Sequence, residues 1–191
     1  MFKPHTASVG NRGDMTESTA HRTPTTHAAT QPTGPATDFR PAGFTALTPM
    51  VVVSPAAEAI DFYTEIFGAR VTTRMDGPDG SVWHAELDLG AGRMQVMDPN
   101  EQFHAVAADP TRDDAQFSLA LYVPDVDAVV AAARARGARV REETADFDVT
   151  GDRFASIQDP YGVRWTLMCR VSHKSDAEIQ QALDAWAASM G

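Results

Sequence analysis

One cysteine, no long apolar run and a shortage of basic residues set the outer limits on this 191-residue chain. Cys169 has no second thiol to pair with, so no intrachain disulfide contributes to its stability. It is expected as a small buried strand residue rather than a catalytic thiol. No apolar stretch approaches the roughly 18 residues of a membrane-spanning helix, so a bilayer is not expected as a partner. Lys and Arg number 16 against 26 Asp and Glu, which leaves a net charge of −10. Phosphate is repelled by such a balance, and no basic stripe with interleaved aromatics offsets it. This argues against nucleic acid or an anionic membrane surface as partner. What is present is an ordinary globular composition, 43% hydrophobic and 22% charged, sufficient for a core.

Residues 1–41 are rich in Thr, Pro and Ala and poor in large apolar side chains. They lack the apolar centre of a secretory signal and are expected to be a disordered tail, since they bury too little to offset chain entropy. His5, His21 and His27 in that tail are expected to be solvated rather than metal ligands. The cytoplasm is the expected location.

The ordered part announces itself by an echo. Gly-Ala-Arg-Val occurs at Gly68–Val71 and again at Gly137–Val140, and Pro55 and Pro124 precede the two copies at the same interval of 69 positions. Matching Pro, Gly and apolar positions on both sides point to a duplicated unit. In module one, residues 44–98, Leu47–Val53 predicts a strand. A helix follows with Ser54 as N-cap, Pro55 at its first position and Gly68 as its stop. Ala59, Ile60, Phe62, Tyr63, Ile66 and Phe67 recur at helical spacing and form its core face. Strands over Arg70–Met75, Val82–Leu89 and Arg93–Asp98 complete the unit.

Module two, residues 115–171, repeats the order: a strand over Phe117–Val123, a helix over Asp125–Arg136, then strands Arg139–Glu143, Arg153–Gln158 and Arg164–Arg170. Between the modules, His104–Gln116 is polar and irregular, a linker or a flap, with a linker the simpler expectation. Ser175-Asp176-Ala177-Glu178 is a capping-box pattern that opens a C-terminal helix over 175–191, with Ile179, Leu183, Trp186 and Met190 as its apolar stripe. The predicted fold is α+β: paired βαβββ modules forming a cupped mixed sheet, residues 42–174, plus that helix.

Paired modules of this order resemble the vicinal oxygen chelate superfamily, which includes glyoxalase I, extradiol dioxygenases, fosfomycin-resistance enzymes and bleomycin-binding proteins. Ala59-Ile60-Asp61-Phe62-Tyr63 with Phe67-Gly68-Ala69, and Asp159-Pro160-Tyr161-Gly162, carry the resemblance. His84-Ala85-Glu86-Leu87, Gly151-Asp152-Arg153-Phe154 and Asp159-Pro160-Tyr161-Gly162-Val163-Arg164-Trp165 resemble its PhnB-like branch. In metal-dependent members four strand positions, usually His, Glu or Gln, converge on a divalent ion. Counting along the resemblance places these positions at Thr48, Gln95, Ser118 and Thr166, with Phe117 in place of Ser118 if the register slips by one.

That set holds no imidazole and no carboxylate, so a divalent metal is disfavoured and no cofactor is expected. A polar-dotted apolar pocket is expected instead, with Ala120 and Tyr122 beside Ser118 and with Phe117, Leu119, Leu121 and Val123 on the opposite strand face. His84 shares a face with Glu86 and Asp88, opposite Trp83, Ala85, Leu87 and Leu89. It is the candidate general base or relocated metal ligand, or a partly exposed strand histidine. Arg153 is a candidate for an anionic ligand group, or a structural partner of Asp152 or Asp159; Trp165 is expected in the core. The function expected is binding of a small organic molecule by a homodimer, the pairing being implied by the resemblance. A glyoxalase-like lyase or dioxygenase-type enzyme, metal-dependent or using His84, and an accessory interaction subunit are the alternatives.

Overall fold

The computed structural model describes residues 39–190, so all but the end of the expected tail lies outside the described residues. Two units of the same order follow one another. The first comprises β1 (Met50–Val52), α1 (Ala56–Phe67), β2 (Arg70–Asp76), β3 (Val82–Asp88) and β4 (Arg93–Met97). The second comprises β5 (Leu119–Tyr122), α2 (Val126–Ala135), β6 (Arg139–Phe147), β7 (Asp152–Gln158) and β8 (Arg164–Arg170), and α3 spans Asp176–Ser189. Each unit forms a four-stranded sheet, ordered β1-β4-β3-β2 and β5-β8-β7-β6. In both, the first strand runs parallel to the last and the other pairs are antiparallel. This is the α+β architecture that the echo predicts. Gly68 and Gly137 stand at equivalent helix ends with φ of 66° and 88°, a backbone region that favours glycine.

The two helices begin differently. α2 is capped locally, the Ala128 amide donating to Asp125 Oδ1 at 3.0 Å. The expected Ser54 cap of α1 is not formed: Pro55 takes the N-cap position and offers no side-chain acceptor. The acceptor comes from the end of β4 instead, where Asp98 takes the Ala56 amide at 3.0 Å and the Val82 amide at 2.7 Å. One carboxylate thus satisfies the start of a helix and the start of a strand. At α3 the capping box forms as expected, with Ser175 and Glu178 exchanging bonds.

Both modules share one core. Val51, Val53, Ala85, Leu87, Met94 and Val96 from the first sheet and Ala155, Ile157, Trp165 and Leu167 from the second are buried with Ile60, Phe62, Tyr63, Val126, Val130 and Ala133 of the helices. The seam is aromatic. Tyr63 stacks on Phe67 with centroids 5.8 Å apart, and Trp165 lies 5.4 Å from Tyr63 and 4.7 Å from Phe67. Asp159 sits beneath this cluster, 2% exposed. Its Oδ2 accepts Tyr63 Oη at 2.8 Å and Trp165 Nε1 at 2.9 Å, while Oδ1 accepts the amides of Tyr161 and Val163. Burial pushes its carboxyl above the usual range, and the four donors pull against that.

Trp83 departs from the expected alternation. The β2–β3 pairing shifts between Met75 and Asp76, so Val82 joins the core in its place and Trp83 is left exposed. The linker expected over His104–Gln116 is instead a docked strap. Ala105 bridges to Asn100, the Ala108 amide donates to Val52 O at 3.0 Å, and the Arg112 carbonyl accepts Gln158 Nε2 at 3.1 Å.

Candidate ligand-binding site

Strand alternation divides each sheet into a face that joins the core and a face that does not. The second, open face of module one carries Met50, His84, Glu86 and Gln95; that of module two carries Ala120, Tyr122, Thr166 and Met168, all partly or fully exposed. Register fixes their neighbours. Gln95 lies beside Met50 on β1 and Glu86 on β3, and Thr166 lies beside Ala120 on β5 and Ser156 on β7. Ser118 precedes Ala120 by two residues, and its Oγ is 2.9 Å from Thr166 Oγ1. That contact selects Ser118 over Phe117 for the open face. Leu119 and Leu121 are partly buried and Val123 is buried, as expected for the opposite face. Tyr122 lies opposite Met168, exposed.

Ser118 and Thr166 are therefore brought together, whereas Thr48 spends its hydroxyl on the Thr45 carbonyl at 3.3 Å. Among the described residues no hydrogen bond joins Thr48 or Gln95 to Ser118 or Thr166. A divalent ion does not fit these four side chains. Three are neutral hydroxyls already engaged with each other or with backbone, and none carries charge to offset a cation. Among the described residues no three His, Cys, Asp or Glu side chains converge.

His84 and Glu86 do share the open face, with Nε2 and Oε1 3.7 Å apart. Glu86 is also 3.5 Å from Arg93 Nη1, and Arg93 packs its guanidinium over the Phe44 ring at 4.7 Å. Any ligand approaching His84 thus meets a carboxylate already shared with a cation. Arg153 corrects its expectation. It pairs with Cys169 and Asp146 in register, on the core-facing side of the sheet. Its guanidinium is held by Asp127 at 2.8 and 3.0 Å and by Asp146 at 2.7 Å. It is a tie between α2 and β6, and its partners are neither Asp152 nor Asp159. Asp152 pairs with Arg170 at 2.6 Å, and Asp159 belongs to the aromatic seam. Cys169 lies on that same side, partly buried, its Sγ 3.6 Å from the Pro124 carbonyl.

The open edge of β1, the start of β8 and the chain leading into β5 border a cleft of about 620 Å³. Met50 and Val52 line one side, Phe117, Val163 and Arg164 another, and the strap from Val106 to Gln116 roofs it. The volume falls within the range of small-ligand sites, and the lining mixes apolar side chains with two arginines, Arg112 and Arg164, and two carboxylates, Asp109 and Asp114. Gly162 lets the strap come close: its φ is +94°, and a Cβ there would meet the backbone of Asp109 and Pro110 at 2.9 Å. Arg164 stands two residues before Thr166 on β8, so alternation alone indicates its face. Arg112 and Val106 sit on irregular backbone and gave no such signal, whereas Phe117, expected on the core face of a longer strand, precedes β5 and is exposed.

α3 touches the far end of module two's open face. Trp186 meets Phe147 edge-on at 5.7 Å, and Phe147 meets Phe154 at 6.3 Å. Ile179 and Leu183 are partly buried, while Trp186 and Met190 remain largely exposed.

Comparison with known proteins agrees with this architecture. Residues 45–167 match the family model described as the glyoxalase/bleomycin resistance protein/dioxygenase superfamily. A protein of Mycobacterium bovis described as uncharacterized is 35% identical over 142 residues, covering 73% of this chain and 93% of its own. Among solved structures, TioX from Micromonospora sp. ML1 superposes with a TM-score of 0.52 at 23% identity, over 66% of this chain and 98% of that one. A glyoxalase family protein from Bacillus cereus gives 0.52 at 18% identity, over 65% and 93%. At these identities the structures speak to fold alone. No helix among the described residues is long and apolar enough to cross a membrane. With duplicated βαβββ sheets, a family match across most of the described residues and relatives of the same extent, the chain belongs to the glyoxalase/bleomycin resistance protein/dioxygenase superfamily.

Proposed function

We propose that this chain binds a small amphipathic organic molecule, without a metal, at the cleft bordered by β1, the start of β8 and the strap. The observation that carries the reading is a cleft lined by Met50, Val52, Phe117 and Val163 next to open-face positions that hold Thr48, Gln95, Ser118 and Thr166 in place of a charged ligand set. Apolar walls supply affinity and the hydroxyls and arginines supply orientation. A homodimer fits the same reading, because Met50, Met75 and Tyr122 leave apolar surface uncovered on the open faces. Native mass spectrometry of the purified chain should show a co-purifying small molecule, and elemental analysis after incubation with Mn²⁺, Ni²⁺, Zn²⁺ or Fe²⁺ should show substoichiometric metal. Stoichiometric metal that Gln95→Ala removes would overturn it.

A second reading has its own observation, the His84–Glu86 pair on the open face of module one. There the imidazole serves as general base in a lyase or isomerase reaction. If a turnover is found, His84→Ala should abolish it; full activity in that variant removes His84 from the chemistry.

A further inference from the structure

The start of β8 gathers cations in a chain that is short of them. Arg139 on β6 and Arg164 on β8 flank Gln158 of β7 in register, and Arg141 follows on β6. All three guanidinium groups turn to one residue of the strap, Asp113. Its carboxylate meets Arg141 Nη2 in close contact and Arg139 Nη1 at 3.5 Å. Its carbonyl accepts Arg141 Nη2 at 3.1 Å and Arg164 Nη2 at 2.9 Å. Two arginines on one exposed carboxylate, with a third on the same residue's carbonyl, is the geometry of an oxyanion site that holds a group of the protein itself.

The cluster is not fully spent on Asp113. Arg164 Nε is buried and has no hydrogen-bond partner, so a donor is held out of water with its capacity unused. Arg164 also lines the cleft. An unspent guanidinium donor therefore stands at the edge of the cleft, whose lining also includes Asp109 and Asp114. The Asp113 side chain is 71% exposed, so little packing holds it against exchange.

We propose that Arg139, Arg141 and Arg164 form the recognition site for the oxyanion headgroup of the ligand, and that the Asp113 carboxylate occupies its Arg139–Arg141 half as an internal competitor until a ligand carboxylate, sulfonate or phosphate displaces it. The proposal rests on the cleft reading above and names the class of ligand it takes: an organic anion with an apolar body. The body lies against Met50, Val52 and Phe117, and the headgroup reaches Arg164. Displacement frees the Asp113 side chain and leaves the strap anchored at the Asp113 carbonyl and at Ala108.

The test uses a matched pair of fluorescent probes, 8-anilinonaphthalene-1-sulfonate and its uncharged parent N-phenyl-1-naphthylamine, titrated into the full chain. Arg164→Met should weaken the sulfonate by roughly tenfold and leave the parent unchanged, and Arg141→Gln should act in the same direction. Asp113→Asn should tighten the sulfonate several-fold and leave the parent unchanged. Glu143→Gln, which makes the same charge change at a residue paired with Arg134, should do neither. If both probes bind and these variants leave the sulfonate where it was, the oxyanion site is wrong and the cleft stands. If Asp113→Asn tightens both probes equally, the strap acts as a cover and the competition is wrong. If neither probe binds the wild-type chain, the cleft reading itself falls. Circular dichroism confirms that each variant is folded, and Arg141→Gln keeps the test open should Arg164→Met not fold.

Discussion

The two modules share strand order, helix placement and register, yet they close their sheets by opposite means. Module one joins β3 to β4 through the exposed Gly90-Ala91-Gly92 hairpin and starts its helix with a borrowed carboxylate, Asp98. Module two joins β7 to β8 through Asp159, which is buried beneath aromatic rings of both modules, and starts its helix with its own Asp125. The open faces differ in the same way. Module one presents a carboxylate between an imidazole and a guanidinium; module two presents hydroxyls beside three arginines. Duplication fixes the backbone and leaves each copy free to specialise the surface that the shared core does not need.

The sharpest way to break this comparison is at the two connections. Asp159→Ala leaves the Tyr63 hydroxyl, the Trp165 indole and two amides without an acceptor, and should cost about 3–5 kcal/mol in denaturant unfolding. Ala91→Ser, at the counterpart hairpin, should change stability by less than about 0.5 kcal/mol. Equal effects would mean the connections are not specialised. Next come the helix starts. Asp98→Ala strips acceptors from a helix and a strand together and should cost about 2 kcal/mol, against about 1 kcal/mol for Asp125→Ala. A larger loss at Asp125 would reverse the ordering.

Trp186→Ala probes how firmly α3 belongs to module two, and about 1 kcal/mol is expected from its edge-on contact with Phe147. No change in thermal midpoint would detach α3 from the fold.

The smallest effect is in pH. Arg153's hydrogen bond, the largest influence, holds the Asp127 carboxyl below the usual range. Desolvation is the largest influence on Asp152, but the bonds from Arg170 and Thr150 outweigh it and the net shift is downward. Carboxyls depressed in the folded state contribute stability that is present above their unfolded pKa and lost as pH falls through the folded value. The thermal midpoint should therefore drop below about pH 4. Arg153→Gln should make that drop shallower, and an unchanged slope would show that the tie to α2 contributes nothing to it.

Much of the fold was legible in the sequence because glycines and prolines punctuate it at fixed intervals and apolar residues alternate between them. Arg164–Arg170 forms the strand expected of it, and α2 falls one residue inside its expected bounds at each end. The failures share a cause. Ser54 is a good local cap, and only tertiary structure could show that Asp98 takes its place. Trp83 keeps strand parity in the sequence, but a bulge that leaves no sequence mark moves it off the core face. At the site, counting along the resemblance named Ser118 and Thr166, which the parallel β5–β8 pairing brings into contact within module two. It could not find Asp113 among the arginines, because a polar strap without periodicity gives no direction to its side chains.

The bond between Tyr63 and Asp159 spans 96 residues of chain. During synthesis, the first module leaves the ribosome with Tyr63 and Phe67 facing a Trp165 that does not yet exist. Its helix can form early, but its aromatic face stays wet until nearly the whole described chain has been made. A fragment ending before the second module should accordingly show little protection of the α1 amides in hydrogen exchange. The gene can duplicate a module in one step, while the protein it encodes can no longer be divided back into two.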